Sequence, residues 1–303
     1  MQRRGKIFLF SGAALALTSL CLFLFFYHPQ KLLEVDFLSV GQGDAELIKT
    51  PYGQNILIDG GPDNKVLAEL GRNLPMWDRK IDLIINTHPH DDHVSGLIDV
   101  SKKYQVQKIL MSRAESNAPP FEEFLKTIVE KKTPVTVVAG AENITLGPDL
   151  VLQIIHPGKN DIGADLNEDS IVARLIYKKE AFLFTGDAGD ITETELLAEK
   201  INVQANVLKV GHHGSETSSG LDFLRAVSPQ IAVIECGANN QFGFPKADTL
   251  WRLAKAGAEI FRTDLNGTVK IKTNGLTLRV KNKINKNSAL PGQSNRQTLR
   301  EQE

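Results

Sequence analysis

Residues Thr87 to His93 read Thr-His-Pro-His-Asp-Asp-His, which places three imidazoles and two carboxylates in one short stretch. They follow directly on the apolar run Asp82-Leu-Ile-Ile-Asn86, which reads as a buried strand, so a strand end presents them as a compact cluster. Imidazole and carboxylate are the ligands that hold Zn²⁺, Mn²⁺ or Fe²⁺, and neutral histidines are too polar to be gathered merely to fill a core. Other apolar runs end the same way, in polar or Gly-rich turns: Ile58-Asp59-Gly-Gly61, Thr185-Gly-Asp187 and Val210-Gly-His-His-Gly214. Gathering functional groups at strand ends from distant parts of a chain is how α/β folds build one site.

The elements that must position these turns read as short apolar runs alternating with amphipathic segments. Strands are predicted over 33–38, 55–59, 82–86, 108–111, 151–155, 171–177, 181–184, 207–210, 231–234 and 267–271. Helices are predicted over 65–73, 94–103, 121–131, 191–200, 221–227 and 247–256. Strands in close succession, followed by alternating strands and helices, predict a layered α/β domain.

The first residues are not part of that core. Arg3, Arg4 and Lys6 precede an uncharged apolar stretch, Ile7 to Tyr27, which as a helix is roughly 30 Å long and spans a bilayer. The basic flank stays in the cytoplasm, so the remainder is expected outside it, held by an uncleaved single-pass anchor in the cell membrane. Three regions follow: an anchor at 1–30, a domain at 31–281, and a polar tail at 282–303 too poor in apolar residues to order itself. Only Cys21 and Cys236 are present, the first within the anchor, so no disulfide braces the domain and the metal ligands are His, Asp and Asn. Beyond residue 27 the chain holds 32 basic against 36 acidic residues, which excludes a nucleic-acid binder acting by bulk charge. Any polyanion would be held by metal ions and a local patch.

His88-Pro-His90-Asp-Asp92-His93 matches the H-x-H-x-D-H signature of the metallo-β-lactamase superfamily, and Phe184-Thr-Gly-Asp187 resembles its later bridging-aspartate motif. Ser39-Val-Gly-Gln-Gly-Asp-Ala45, Asn167-Glu-Asp-Ser170, Leu208-Lys-Val-Gly-His-His-Gly-Ser215 and Asn240-Gln-Phe-Gly-Phe-Pro245 are similar to the extracytoplasmic domain of the ComEC family of DNA-uptake proteins. The likeness covers residues 34 to 280 and implies a four-layer αββα sandwich. It extends to that domain and not to the transporter, whose many membrane helices have one counterpart here.

By that resemblance His88 and His90 bind one divalent ion, Asp92 and His93 a second, Asp187 bridges them, and His212 or His213 adds a ligand, with His212 preferred. Asp91, Asp92 and Asp187 are the expected catalytic carboxylates, although Asp91 could equally be solvated. Asn167 stands where many relatives carry a further histidine, and its neutral oxygen leans towards Mn²⁺ over Zn²⁺. Phe244 stands where the ComEC-like pattern has a histidine, and it can neither ligate a metal nor carry a proton. Gln42, Asp44, His213, Ser215, Asn167 and Asn240 are candidate substrate contacts. The turn Gly41 to Asp44 reads either as an anion cradle or as a tight hairpin. Asp59 reads as a partner of the ligand loop. His156, Trp77 and Trp251 read as packing residues.

Two metals about 3.5–4 Å apart acidify a shared water and polarise a phosphoryl or carbonyl oxygen. The expectation is a membrane-anchored hydrolase with two Zn²⁺ or Mn²⁺ ions and no organic cofactor. It cuts a phosphodiester, with DNA and a separate channel protein as partners. The alternatives are a hydrolase of another extracytoplasmic ester, such as a choline-phosphate or a lactam, and a non-catalytic module that binds DNA or a partner.

Overall fold

Strands Asn55–Ile58 and Leu83–Asn86 are buried at every position, which is why they read as unbroken apolar runs. Ile56 and Ile58 enter one core while Leu57 enters another, so both faces of the strand are covered. The computed structural model that shows this describes residues 32–158 and 165–281. The expected anchor, with His28 at its boundary, and the expected polar tail lie outside the described residues. Among the described residues no helix is long and apolar enough to cross a membrane.

Two sheets face each other. The eight-stranded sheet runs Leu278–Lys281, Val269–Thr273, Leu33–Phe37, Glu46–Lys49, Asn55–Ile58, Leu83–Asn86, Ile109–Met111 and Val135–Val137. The seven-stranded sheet runs Glu259–Arg262, Ile231–Ile234, Val207–Lys209, Glu180–Phe184, Val172–Tyr177, Leu150–His156 and Glu142–Gly147. Val35, Phe37 and Ile85 of the first sheet meet Leu152, Leu175 and Phe184 of the second in the central core. Helices Lys65–Asn73, Asp91–Lys103 and Pro119–Lys131 cover the outer face of the first sheet through Val66, Leu97 and Phe124. Helices Asp190–Ala198, Leu221–Val227 and Ala247–Lys255 cover that of the second through Leu196, Phe223 and Leu253. The layers are αββα, as the resemblance implied.

From Asn55–Ile58 to Val135–Val137 the strands are parallel, and so are those from Glu180–Phe184 to Glu259–Arg262. The cross-strand registers Ile58 to Ile85 and Phe184 to Lys209 bring their C-terminal ends level, so the turns that follow them meet at one rim of the sandwich. One boundary shifts in a way that matters. The helix expected from Val94 begins at Asp91, which draws Asp92 and His93 into its first turn.

Candidate metal centre

Each strand hands a short turn to the rim. Asn55–Ile58 delivers Asp59, whose φ of 52° turns the chain sharply, and Leu83–Asn86 delivers Thr87 to His90. His90 caps the helix that carries Asp92 and His93. From the second sheet, Glu180–Phe184 leads to Asp187 and Val207–Lys209 leads to His212 and His213. Gly43 permits the closest approach: a Cβ there would lie 2.2 Å from the Asp92 carbonyl oxygen. The Gly41 to Asp44 segment is therefore a tight turn packed on the start of this helix, and Asp44 N donates to that same carbonyl at 3.3 Å.

Hydrogen bonds fix which ring nitrogen of each histidine is free. His213 Nδ1 lies 3.0 Å from the Glu235 carbonyl oxygen, which can only accept, so Nδ1 carries the proton. Its Nε2 then faces Asp92 Oδ2 at 3.2 Å and Asp187 Oδ2 at 3.4 Å. His93 Nδ1 donates to Asp59 Oδ2 at 2.8 Å and leaves Nε2 at 3.4 Å from Asp187 Oδ2. The Thr87 hydroxyl donates to Asp59 Oδ2 at 2.6 Å, so its oxygen accepts from His88 Nδ1 at 3.0 Å. That frees His88 Nε2, 3.1 Å from His90 Nδ1. Asp59 also accepts from the Thr87 backbone N–H at 2.8 Å, so one buried carboxylate orients the loop and two of its imidazoles.

The electrostatics attract cations. Burial opposes charge on His93 and His213, yet Asp187 beside both, with Asp92 and Asp59 at His93 and Asp44 at His213, lifts them well above the ordinary imidazole value. His88 goes the other way, well below that value, because it is fully buried and faces His93. Burial raises the Asp187 carboxyl, but His213 and His93 hold it well below the usual range, and Asp92 is held low by His93 and His213 against the same opposition. Beneath them lies a charged layer that sequence reasoning missed. Fully buried Lys209 pairs with Asp44, stands 3.8 Å from Asp187 and donates to the Gly186 carbonyl at 2.8 Å. Glu46 and Glu235 adjoin it. Burial, then Asp44, pushes the Glu46 carboxyl up to about 8, while burial and Glu46 push Glu235 well up. The signal was a lysine inside the apolar strand Val207-Leu-Lys209 and a glutamate directly after Ile234.

The residues fit divalent metal. Ligand atoms of His88, His93 and Asp187 lie within 4.8 Å of one another, and so do those of Asp92, His93 and His213. Among the described residues His93 Nε2, Asp187 Oδ1 and Asn167 Oδ1 are buried without a hydrogen-bond partner, a costly condition that coordination relieves. Asn167 belongs to the turn whose Ser170 hydroxyl contacts His88 Nδ1 at 3.3 Å.

The structure brings together His88, His90, Asp92, His93 and Asp187 and changes the parts given to the two adjacent histidines. His213 is buried among Asp44, Asp92 and Asp187, whereas His212 is part-exposed with Nε2 4.0 Å from Asp187, so His213 is the better candidate ligand and His212 lies on the solvent side of the centre. Left-handed backbone at both, φ 45° and 53°, sets this arrangement. Asp44 is fully buried and committed to Lys209 and the His213 ring, which corrects its expected role as a substrate contact. Three other expected contacts serve the loops instead. Gln42 Oε1 accepts from Gly237 N, Ser215 Oγ meets Thr217 Oγ1, and Asn240 clasps Phe244 through its N–H and C=O. Asp91 is exposed at the first position of its helix and outside the converging groups. His156 donates from Nδ1 to the Ser170 carbonyl at 2.9 Å. Trp77 and Trp251 are 84% and 56% exposed, which corrects the expectation that they pack in the core. Phe244 lies 5.5 Å from the His212 ring, and Phe242 stacks on Phe244 at 5.6 Å and 16°.

Known proteins resemble this chain in sequence and in fold. The chain is 28% identical over 289 residues to ComE operon protein 3 of Bacillus subtilis, covering 89% of this chain and 36% of that protein. It is 28% identical over 253 residues to Competence protein ComA of Neisseria gonorrhoeae, covering 80% and 33%. It thus spans about a third of the length of these relatives. The crystal structure of the metallo-β-lactamase fold protein YhfI from Bacillus subtilis superposes with a TM-score of 0.55 at 13% identity, covering 80% of this chain and all of YhfI. Residues 38–237 match the Metallo-beta-lactamase superfamily, which takes in every one of the converging groups, and the chain belongs to that superfamily.

Proposed function

We propose that the chain is a membrane-anchored, extracytoplasmic phosphodiesterase with a dinuclear metal centre that cuts DNA in competence-related uptake. The observation that carries this reading is the pair of ligand groups, His88-His93-Asp187 and Asp92-His93-His213, which overlap at His93. Two divalent ions held there supply the Lewis acidity that neutralises phosphoryl oxygens and acidifies water. The protein fixes Nε2 of His88, His93 and His213 towards the centre, and its Lys209 layer balances the buried carboxylates behind it. Asn167, with its neutral oxygen, favours Mn²⁺ over Zn²⁺ at the His88 side. The stacked rings of Phe242 and Phe244 beside His212 offer a flat apolar step for a base next to the phosphate. The names ComE operon protein 3 and Competence protein ComA support a competence-related role. A separate channel protein completes the reading as partner.

The test is cleavage of single- and double-stranded DNA by the full chain with Mn²⁺, Zn²⁺ or chelator, alongside Asp92→Asn and Asp187→Asn. Metal-dependent cutting that both substitutions abolish is the expected result. A wild-type chain that holds two metals and cuts neither DNA overturns DNA as substrate, and one that binds no metal overturns the catalytic reading.

A further inference from the structure

The rim opposite the metal centre gathers five of the exposed large apolar side chains: Leu32, Tyr52, Met76, Trp77 and Leu276, at 39%, 43%, 83%, 84% and 57% exposure. Their common location follows from the hydrogen bonding. Leu32 precedes Leu33, which pairs with Thr273 at the hairpin that carries Leu276. Lys179 N donates to the Gly275 carbonyl at 3.0 Å, and Lys178 N to the Asp149 carbonyl at 3.2 Å, joining the hairpins of the two sheets. Tyr52 is the tip of the next hairpin, with its ring against Gly147. Asn55, at the foot of that hairpin, donates to Asp78 at 2.9 Å and to the Lys80 carbonyl at 3.1 Å, which brings in the turn of Met76 and Trp77. None of these groups takes part in the chemistry at the other rim.

We infer that this rim is a bilayer-docking face that seats the domain on a lipid surface with the metal centre turned away from it. The inference rests on the membrane-anchored reading above. Two observations select lipid over a protein partner. The uncharged run Ile7 to Tyr27 lies only His28 to Lys31 upstream of Leu32, which stands on this rim. The side chains also have the character of an interfacial belt: a tryptophan and a tyrosine with aliphatic neighbours, flanked by exposed Arg79, Lys80, Lys178 and Lys179. Aromatic rings sit at headgroup level, and long basic side chains lay their stems on apolar surface while meeting anionic headgroups. Among the described residues Asp78, Asp82, Asp149 and the buried Glu180 are acids of this rim. Asp82 pairs with Lys80 at 2.5 Å, and Asp78 accepts from Asn55.

The chain's two tryptophans make the test direct. Trp251 stands one turn into helix Ala247–Lys255, whose approach is tied to the metal rim by Lys246 N donating to the Gly214 carbonyl at 2.9 Å. Full chains bearing Trp251→Phe, which leaves Trp77, or Trp77→Phe, which leaves Trp251, are placed in vesicles of phosphatidylcholine with a minority of phosphatidylglycerol. Parallel vesicles carry bromine on the upper acyl carbons. Both indoles are exposed, so neither exchange disturbs the core. Trp77 emission is expected to fall about twofold in the brominated vesicles, while Trp251 changes by less than about a tenth. A silent Trp77, or equal quenching of the two, overturns the docking face. Carbonate extraction of the same vesicles reports separately on the anchor. A chain that washes off yet shows quenched Trp77 keeps the face and loses the anchor. One that stays with Trp77 silent keeps the anchor and loses the face.

Discussion

Asp59 Oδ2 and His93 Nδ1 are 2.8 Å apart although 34 positions separate them in the chain. The same oxygen accepts the Thr87 hydroxyl at 2.6 Å, so this one carboxylate holds the ligand loop and the first turn of its helix in a single arrangement. Asp59→Asn keeps the shape and removes the charge. Outer partners of ligating histidines typically contribute about 10–100-fold to metal affinity, and a loss of that size is expected with little change in thermal stability. Calorimetric titration with Mn²⁺ measures it, and unchanged affinity would falsify the orienting role.

Lys209 is the cation around which Asp44, Asp187, Glu46 and Glu235 are arranged. Lys209→Met preserves length and leaves buried carboxylates without their counter-charge, a class of change that costs about 3–5 kcal/mol. A lowered unfolding midpoint in urea at neutral pH is expected, with partial recovery in acid as the carboxylates protonate. A variant as stable as the parent would show that the pairing is dispensable.

Glu193 gives a pH dependence away from the metal centre. It accepts from Gly220 N at 2.8 Å and from Ser219 N, and burial pushes its carboxyl up to about 8 from the ordinary 4.5, against the pull of those amides and Arg252. The native state therefore holds this proton more tightly than the unfolded chain. Its contribution to stability is complete below pH 4.5 and is lost as pH rises through about 8. Glu193→Gln cannot titrate. The difference in melting temperature between the two proteins should change steadily between pH 5 and pH 8, and parallel curves over that range would contradict the assignment.

Phe242 is half-exposed and continues the stack begun by Phe244. If a base rests there, Phe242→Ala removes one stacking surface worth about 1–3 kcal/mol, which raises KM for single-stranded DNA at least fivefold and leaves kcat unchanged. A phosphodiester without bases should be hydrolysed equally by both proteins. An equal loss on both substrates would assign Phe242 to loop structure.

Strands with both faces covered were legible where they are apolar throughout, as in Leu83–Asn86 and Ile231–Ile234, whereas the interior strand Glu46–Lys49, charged at both ends, was missed. Edge strands were not legible either. Glu142–Gly147 and Leu278–Lys281 are largely open to water on one side, and their mixed residues carry little periodic signal. The ligand cluster was readable since its histidines are close in sequence. The separate parts of His212 and His213 were hidden, because they lie side by side in a turn whose left-handed backbone carries no periodic signal. The carboxylate-lysine layer was hidden for another reason: Glu46 lies in a strand the sequence reading did not assign, and a single lysine in the run Val207-Leu-Lys209 reveals burial only once its partner Asp44 is placed.

The pairing of Leu33–Phe37 with Val269–Thr273 places Val35 opposite Ile271, so the earliest strand of the domain waits for nearly the latest. Every candidate ligand, through His213, precedes that closing strand in the chain. A nascent chain thus carries the complete donor set while its first sheet still has an open edge, the condition that invites pairing with foreign strands. Contacts so distant in sequence also form slowly. Synthesis stalled or cleaved before residue 269 leaves an unclosed sheet rather than a shortened domain, and the last strands act as the latch on everything made before them.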